Sequence, residues 1–319
     1  MRRLFVLAAL LFALPGHAVT IDWVAIGDPG NACDAQSQGC FGAVDYVYRI
    51  SKYEVTNAQY AEFLNAVGEN GAIALALFNA SMHNNPNGGI IQSGVSGSFT
   101  YTAFPGFENK PVNFVSFYDS LRFANWLHNG QGSGDTETGA YTLLGGTAIP
   151  SNGLTVTRNP GATVFLPSEN EWYKAAYYSP GGVYFDYPAG TDSVIECAWL
   201  GSDTGNSANC SGASGALTIV GAYGQSESPY GTFDQGGNMS EWNEQIVFGS
   251  YRGLRGGDWF FDASSLAASN PYYDGPTHEN DLIGFRVASL VPEPGPEWLG
   301  MTGVLSVLGL AASRRRRAN

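Results

Sequence analysis

Three stretches of the chain space their apolar residues at the period of a helix and carry a capping signal at the start. In the first, Thr56 and Gln59 form a capping box ahead of Tyr60, Phe63, Leu64 and Val67, which share one face, and an end is predicted near Gly68. The second opens at Ser116 with Asp119, turns Phe117, Leu121, Ala124 and Leu127 inward, and stops at Asn129 and Gly130. The third is capped by Ser168 with Glu171, carries Trp172, Ala175 and Ala176, and must end before Pro180, which cannot continue a helix. Elsewhere the pattern is that of short strands and long loops, with glycine-rich stretches at 86–97 and 130–146 that read as surface insertions. No internal repeat is present.

Both ends of the chain read as addresses. Residues 4–14 are apolar, follow Arg2 and Arg3, and precede Pro15, Gly16 and Ala18, the layout of a secretory signal peptide (1–18) cut after Ala18 and too short to span a membrane. At the other end, Val291, Pro292, Glu293 and Pro294 lead into an apolar stretch at 298–312 and four arginines at 314–317. That stretch falls short of the roughly 20 residues that cross the hydrocarbon. The arginines nevertheless hold the tail on the cytoplasmic side, with Trp298 at the opposite interface. A buried C-terminal helix is the other reading, but it gives no reason for four adjacent arginines.

Formal charge is −13, and six of the 15 basic residues lie in these two ends, so residues 19–290 are more acidic than the total implies. Nucleic acid and anionic lipid are therefore not expected partners, while carboxylates are available to calcium. With 42 glycines, 13% aromatic and only 13% charged residues, the composition fits a loop-rich α+β domain with an aromatic core and not a helical bundle. The four cysteines fall into two close pairs. In an oxidising compartment two local disulfides, Cys33 with Cys40 and Cys197 with Cys210, are the economical choice among three pairings. A four-cysteine zinc site is the alternative, although neither pair has the usual two-to-four-residue ligand spacing.

Five strings occur in order: SKYEVTNAQYAEFL (51–64), PVNFVSFYDSLRFANWL (111–127), FLPSENEWYKAAYY (165–178), SPYGTFDQGGNMSEW (228–242), and RGLRGGDW (252–259) with a later GFRVA (284–288). Together they resemble the sulfatase-modifying-factor, or formylglycine-generating-enzyme, domain, which is built on a C-type-lectin-like fold. The resemblance implies a single α+β domain over residues 19–290 with few short strands and about three helices. Glu54, Trp172, Trp242 and Arg286 recur in it. The plain reading of these four is structural: a buried Glu54–Arg286 ion pair tying the N- and C-terminal strands, with tryptophans in the core. The end that begins at 291 resembles the PEP-CTERM sorting signal of Gram-negative bacteria, which implies an exosortase-type partner, transient inner-membrane insertion, and delivery from periplasm to cell surface or exopolysaccharide matrix.

Active members of the resembled family hold copper with two cysteines that follow a Gly-Gly-Ser element. Here the element is Gly256, Gly257 and Asp258, and the cysteine positions carry Phe261 and Leu266, which offer no metal donor. Copper and formylglycine chemistry are therefore not expected. The related ergothioneine-type sulfoxide synthases take iron histidines from a separate helical domain, and only His83, His128 and His278 lie outside the leader of this chain. Calcium is implied at 234–241, through the carboxylates of Asp234 and Glu241 and the carbonyls of Gly237 and Met239. The family cleft implies a ligand surface of Asp258, Trp259, Phe260, Asp262, Tyr272, Tyr273 and His278. The expected function is that of an exported, surface-sorted, non-catalytic binder of a glycan or peptide. A metal-dependent oxidase acting on a protein or small thiol is the rival, and a purely structural matrix component the third possibility.

Overall fold

The computed structural model describes residues 18–133 and 135–291. The signal peptide, except its last residue, and the sorting segment beyond Val291 lie outside the described residues. In chain order come β1 (Trp23–Ile26), β2 (Asp34–Gln36), β3 (Gly39–Phe41), β4 (Tyr48–Ser51), α1 (Asn57–Ala74), α2 (Ser81–Asn84), β5 (Ile90–Ser93), β6 (Thr100–Ala103), α3 (Phe117–His128), β7 (Val164–Phe165) and α4 (Glu169–Tyr177). There follow β8 (Glu196–Cys197), β9 (Ser207–Ala208), β10 (Ser240–Val247), β11 (Tyr251–Arg255), a 3-10 turn (Ala263–Leu266), β12 (Tyr272–Asp274), β13 (Ile283–Gly284) and β14 (Ala288–Leu290). The α+β, loop-rich class expected from the sequence is the one observed.

All three predicted capping boxes form. Thr56, Ser116 and Ser168 accept the amides of Gln59, Asp119 and Glu171, and each of those side chains reaches back to its cap's amide. The predicted end at Gly68 is instead a break. Gly68 leaves helical geometry at φ 72° and the helix resumes to Ala74. The short α2 has no side-chain cap and gave no sequence signal.

The glycine-rich stretches are less superficial than expected. Residues 130–146 fold back over α3, where Asn125 donates to the carbonyls of Thr136 and Tyr141 and accepts the Tyr141 amide. Arg122, with no exposed side chain, is satisfied by Glu137 and by the carbonyls of Thr147 and Ala148. These partners are why α3 is buried nearly all round rather than along one stripe. In the other stretch, Ile90 of the β5–β6 hairpin is fully buried.

Two four-stranded sheets organise the chain. One runs β1-β4-β14-β7 and pairs Tyr48 with Leu290 and Ile50 with Ala288, so early and late segments share one surface. The other runs β12-β11-β10-β13, with β10 and β13 parallel at Ser240–Ile283 and Glu241–Gly284. A single large core extends from Ile26 to Ala288 and includes Trp242, while Trp172 packs with Tyr173 and Tyr177 in a satellite cluster. Both local disulfides are present. Cys33–Cys40 closes the β2–β3 hairpin and Cys197–Cys210 ties β8 to the residues after β9.

Candidate functional site

The last residue of β11, Arg255, is followed by Gly256 and Gly257 at φ 96° and 65°, a left-handed pair that turns the chain sharply out of the sheet. A Cβ at Gly257 would meet Leu266 Cδ1 at 2.9 Å and the Ser265 carbonyl at 3.0 Å. Asp258 then builds the next turn. One of its oxygens accepts the amides of Phe260 (3.0 Å) and Phe261 (3.1 Å), and the other accepts the Ser240 hydroxyl (3.2 Å). Burial pushes its carboxyl above the usual range, while these bonds pull it back. Asp258 is thus a framework residue at the cleft, with its oxygens already engaged.

That turn presents Trp259, Phe260 and Phe261 in succession. Phe260 is 62% and Phe261 46% exposed. Trp259 is half-buried, and its indole Nε1 is buried with no hydrogen-bond partner among the described residues. Beside the turn is a cavity of about 220 Å³ lined by Phe261 and Tyr272 together with Ser240, Arg255, Ser265 and Asn270. The last four were not singled out from the sequence. Ser240 and Arg255 belong to the quoted strings, so their positions were available, whereas Ser265 and Asn270 carry no signal of their own. Tyr272 and Tyr273 stack at 6.1 Å, and Tyr251 and Phe248 pack edge-on against Tyr273, which extends the aromatic surface along the edge of the sheet.

Of the seven expected ligand residues only Tyr272 lines that cavity, with Asp258, Trp259, Phe260 and Tyr273 at its margin in the turn and the strand edge, while Asp262 and His278 serve local bonds. Asp262 caps the 3-10 turn through Ser264, whose hydroxyl and amide hold its carboxyl below the usual range. His278 is half-exposed and bonds Asp274 at 2.5 Å. Of the two positions where the resembled family carries cysteines, Phe261 lines the cavity and Leu266 is wholly buried against Tyr187, Ile195 and Cys210. All four cysteines are in disulfides. No thiolate is present to hold Cu(I), so the donor set does not fit copper.

Asp234 and Glu241 converge on a buried cluster around Arg286. The expected Glu54–Arg286 pair is not the one formed. Arg286 bonds Glu241 through Nε (2.6 Å) and Nη2 (2.7 Å), and the Trp172 indole donates to Glu241 at 2.7 Å. Arg286 still ties the two ends of the chain, by donating to the carbonyls of Ser51, Lys52 and Phe233. Glu54 accepts from Asn238 with one oxygen, while its other oxygen is buried and unpartnered. Desolvation, Asp234 and Glu241 raise the Glu54 carboxyl well above its usual range. Burial raises Asp234 to about 6, against the pull of the Gly221 amide and Arg286. Three carboxylates thus share one guanidinium. The cluster lacks positive charge, which a shared proton or one hard cation can supply.

The four expected calcium ligands are not free as a set. Asp234 and the orphan oxygen of Glu54 are available, whereas Glu241 is already bonded to Arg286 and Trp172. Gly237, at φ 79°, is fixed by its surroundings, since a Cβ there would lie 2.4 Å from the Asn209 carbonyl. Among the described residues no group of three His, Cys, Asp or Glu side chains, this cluster included, is arranged to hold a metal ion.

The model of the sulfatase-modifying factor enzyme 1-like domain matches residues 44–291. Hercynine oxygenase of Mycobacterium tuberculosis (strain ATCC 25618 / H37Rv) is 24% identical over 267 residues, 76% of this chain and 52% of that protein. The chain thus spans about half the length of this curated relative. The crystal structure of CarF superposes with a TM-score of 0.52 at 20% identity, covering 86% of this chain and 99% of CarF. Variable protein 1 of Treponema denticola gives 0.55 at 20% identity, covering 87% and 98%. Those two likenesses carry the fold alone. From the five ordered strings, the glycine-turned segment at 256–258 and a family match over 44–291, the chain belongs to the sulfatase-modifying factor enzyme 1-like domain family.

Proposed function

We propose that this chain is an exported binding domain, sorted to the cell surface by its C-terminal segment, which takes a glycan or peptide chain at the cleft between residues 259–261 and 272–273. The observation that carries this reading is the unpartnered, buried indole N–H of Trp259 edge-on to the open ring of Phe260, next to a cavity lined by Phe261 and Tyr272. A buried donor left without an acceptor calls for one from outside. Aromatic faces supply contact area for sugar or peptide groups at small entropic cost. Arg255, Ser240, Ser265 and Asn270 add hydrogen-bonding groups in the adjoining cavity. Calcium, in this reading, is a structural ion seated by Asp234 and Glu54 with the carbonyls of Gly237 and Met239, where it supplies the missing positive charge.

The rival is an oxidase, the class to which the name of hercynine oxygenase points. It is disfavoured because Leu266 and Phe261 have no metal-binding atom. The test pairs two assays. Glycan and peptide arrays are expected to show binding that Phe260→Ala and Tyr272→Ala each weaken. A Cys-x-Pro-x-Arg sulfatase peptide is expected to gain no aldehyde by mass spectrometry, with or without added copper. Aldehyde above a no-enzyme control overturns the binder. Silence in both assays favours a structural matrix component.

A further inference from the structure

A second and larger cavity, of about 510 Å³, lies between the disulfide-closed β2–β3 hairpin, the start of α4 and strand β10. Its charged lining is closed upon itself. Arg158 bonds Glu244 through Nε (2.9 Å) and Nη2 (2.8 Å) and bonds Glu171 through Nη1 (3.0 Å) and Nη2 (2.6 Å). Glu169 accepts from Arg255 and Asn243, both at 2.7 Å. The groups left open are neutral. Gln245 and Thr157 are exposed, and neither side chain hydrogen-bonds any described residue; the other ends of Gln38 and Asn170 are spent on the Ser269 carbonyl and the Gly42 amide, which leaves one amide oxygen and one amide NH₂ free. Phe41 supplies an aromatic wall.

We propose that this cavity is a binding site for a neutral carbohydrate. Its volume falls in the range of small-molecule sites, roughly 300–1,000 Å³. Each lining charge already has an opposite partner, with Arg158 shared by Glu171 and Glu244 and Glu169 held by Arg255. An anion meets this excess of carboxylate, and a cation meets Arg158 and must displace it from a partly exposed pair to gain a carboxylate of its own. A polyhydroxylated neutral ring needs what is left over: amide donors and acceptors, a hydroxyl and one aromatic surface. The hairpin that carries Gln38 and Phe41 is closed by Cys33–Cys40, so reduction is expected to loosen the site.

The site is separate from the aromatic cleft, so its test is separate as well. Full-length oxidised protein is titrated calorimetrically with neutral cellotetraose, maltotetraose and mannotetraose, and with tetragalacturonate and a chitosan tetramer as charged comparators. At least one neutral tetraose is expected to bind. The Thr157→Ala/Gln245→Ala double variant, which disturbs no internal bond, is expected to weaken it about tenfold, the effect of two lost hydrogen bonds. The titrations are run in the Phe260→Ala/Tyr272→Ala background, which disables the aromatic cleft, so the tetraose binding that remains reports this cavity, and Cys33→Ser/Cys40→Ser should weaken it. No neutral binding at millimolar concentration, binding indifferent to the double variant, or tighter binding of either charged comparator overturns the proposal.

Discussion

Asp234 holds a left-handed backbone at φ 59°, a conformation that asparagine tolerates as well as aspartate, and its side chain accepts the Gly221 amide. Asp234→Asn therefore removes a charge with little other disturbance. A carboxyl raised in the folded state binds its proton more tightly there than in the unfolded chain. Its stabilising effect is complete below the unfolded value of about 4 and is lost as pH rises through the folded value, about 6 for Asp234. In chelator, the stability of Asp234→Asn relative to the parent should thus rise between pH 4 and pH 7, as read by calorimetry. If calcium occupies the cluster, adding it should raise the parent's melting temperature, since an ion bound only by the native state stabilises by mass action. The gain should shrink in Asp234→Asn, and an undiminished gain places the ion elsewhere. At the same cluster, Arg286→Met strands Glu241 in a site with no exposure and should cost about 3–5 kcal/mol in urea unfolding.

Among the elements, the turns before and after β10 do the positioning. Gly237→Ala combines a left-handed backbone with a Cβ driven into the Asn209 carbonyl, and about 2–3 kcal/mol of lost stability is expected, or failure to accumulate. The Cys197–Cys210 bridge spans 13 residues, and Cys197→Ser/Cys210→Ser should cost about 2–3 kcal/mol in denaturant melts. The capping boxes of α1, α3 and α4 were legible because each needs only residues three apart. What the local pattern could not show was the second half of α1, which continues past a glycine whose break is absorbed by packing of Ala72 and Leu75 in the core.

For the whole molecule, the two ends of the sequence make a prediction that the folded domain does not touch. Intact-mass measurement on protein extracted from the surface of its native host should find a chain beginning at Val19 and lacking the four arginines at 314–317. A mature chain that keeps them counts against sorting. Among the described residues no helix is long and apolar enough to cross a membrane.

From residue identity and short-range spacing alone follow the family, the α+β class, three helix starts and both disulfides. Only the tertiary structure decided which groups remain free. Glu241, expected from the resemblance as a calcium ligand, has both oxygens bonded to Arg286, 45 residues away. Asp258, an expected ligand contact, spends one oxygen on the Phe260 and Phe261 amides of its own turn and the other on the Ser240 hydroxyl. The cavity behind the β2–β3 hairpin joins residues 38 and 245, which no local pattern connects. Hydrogen-bonding capacity is consumed by partners brought from anywhere along the chain, so what is left for a ligand is settled only once the chain has folded.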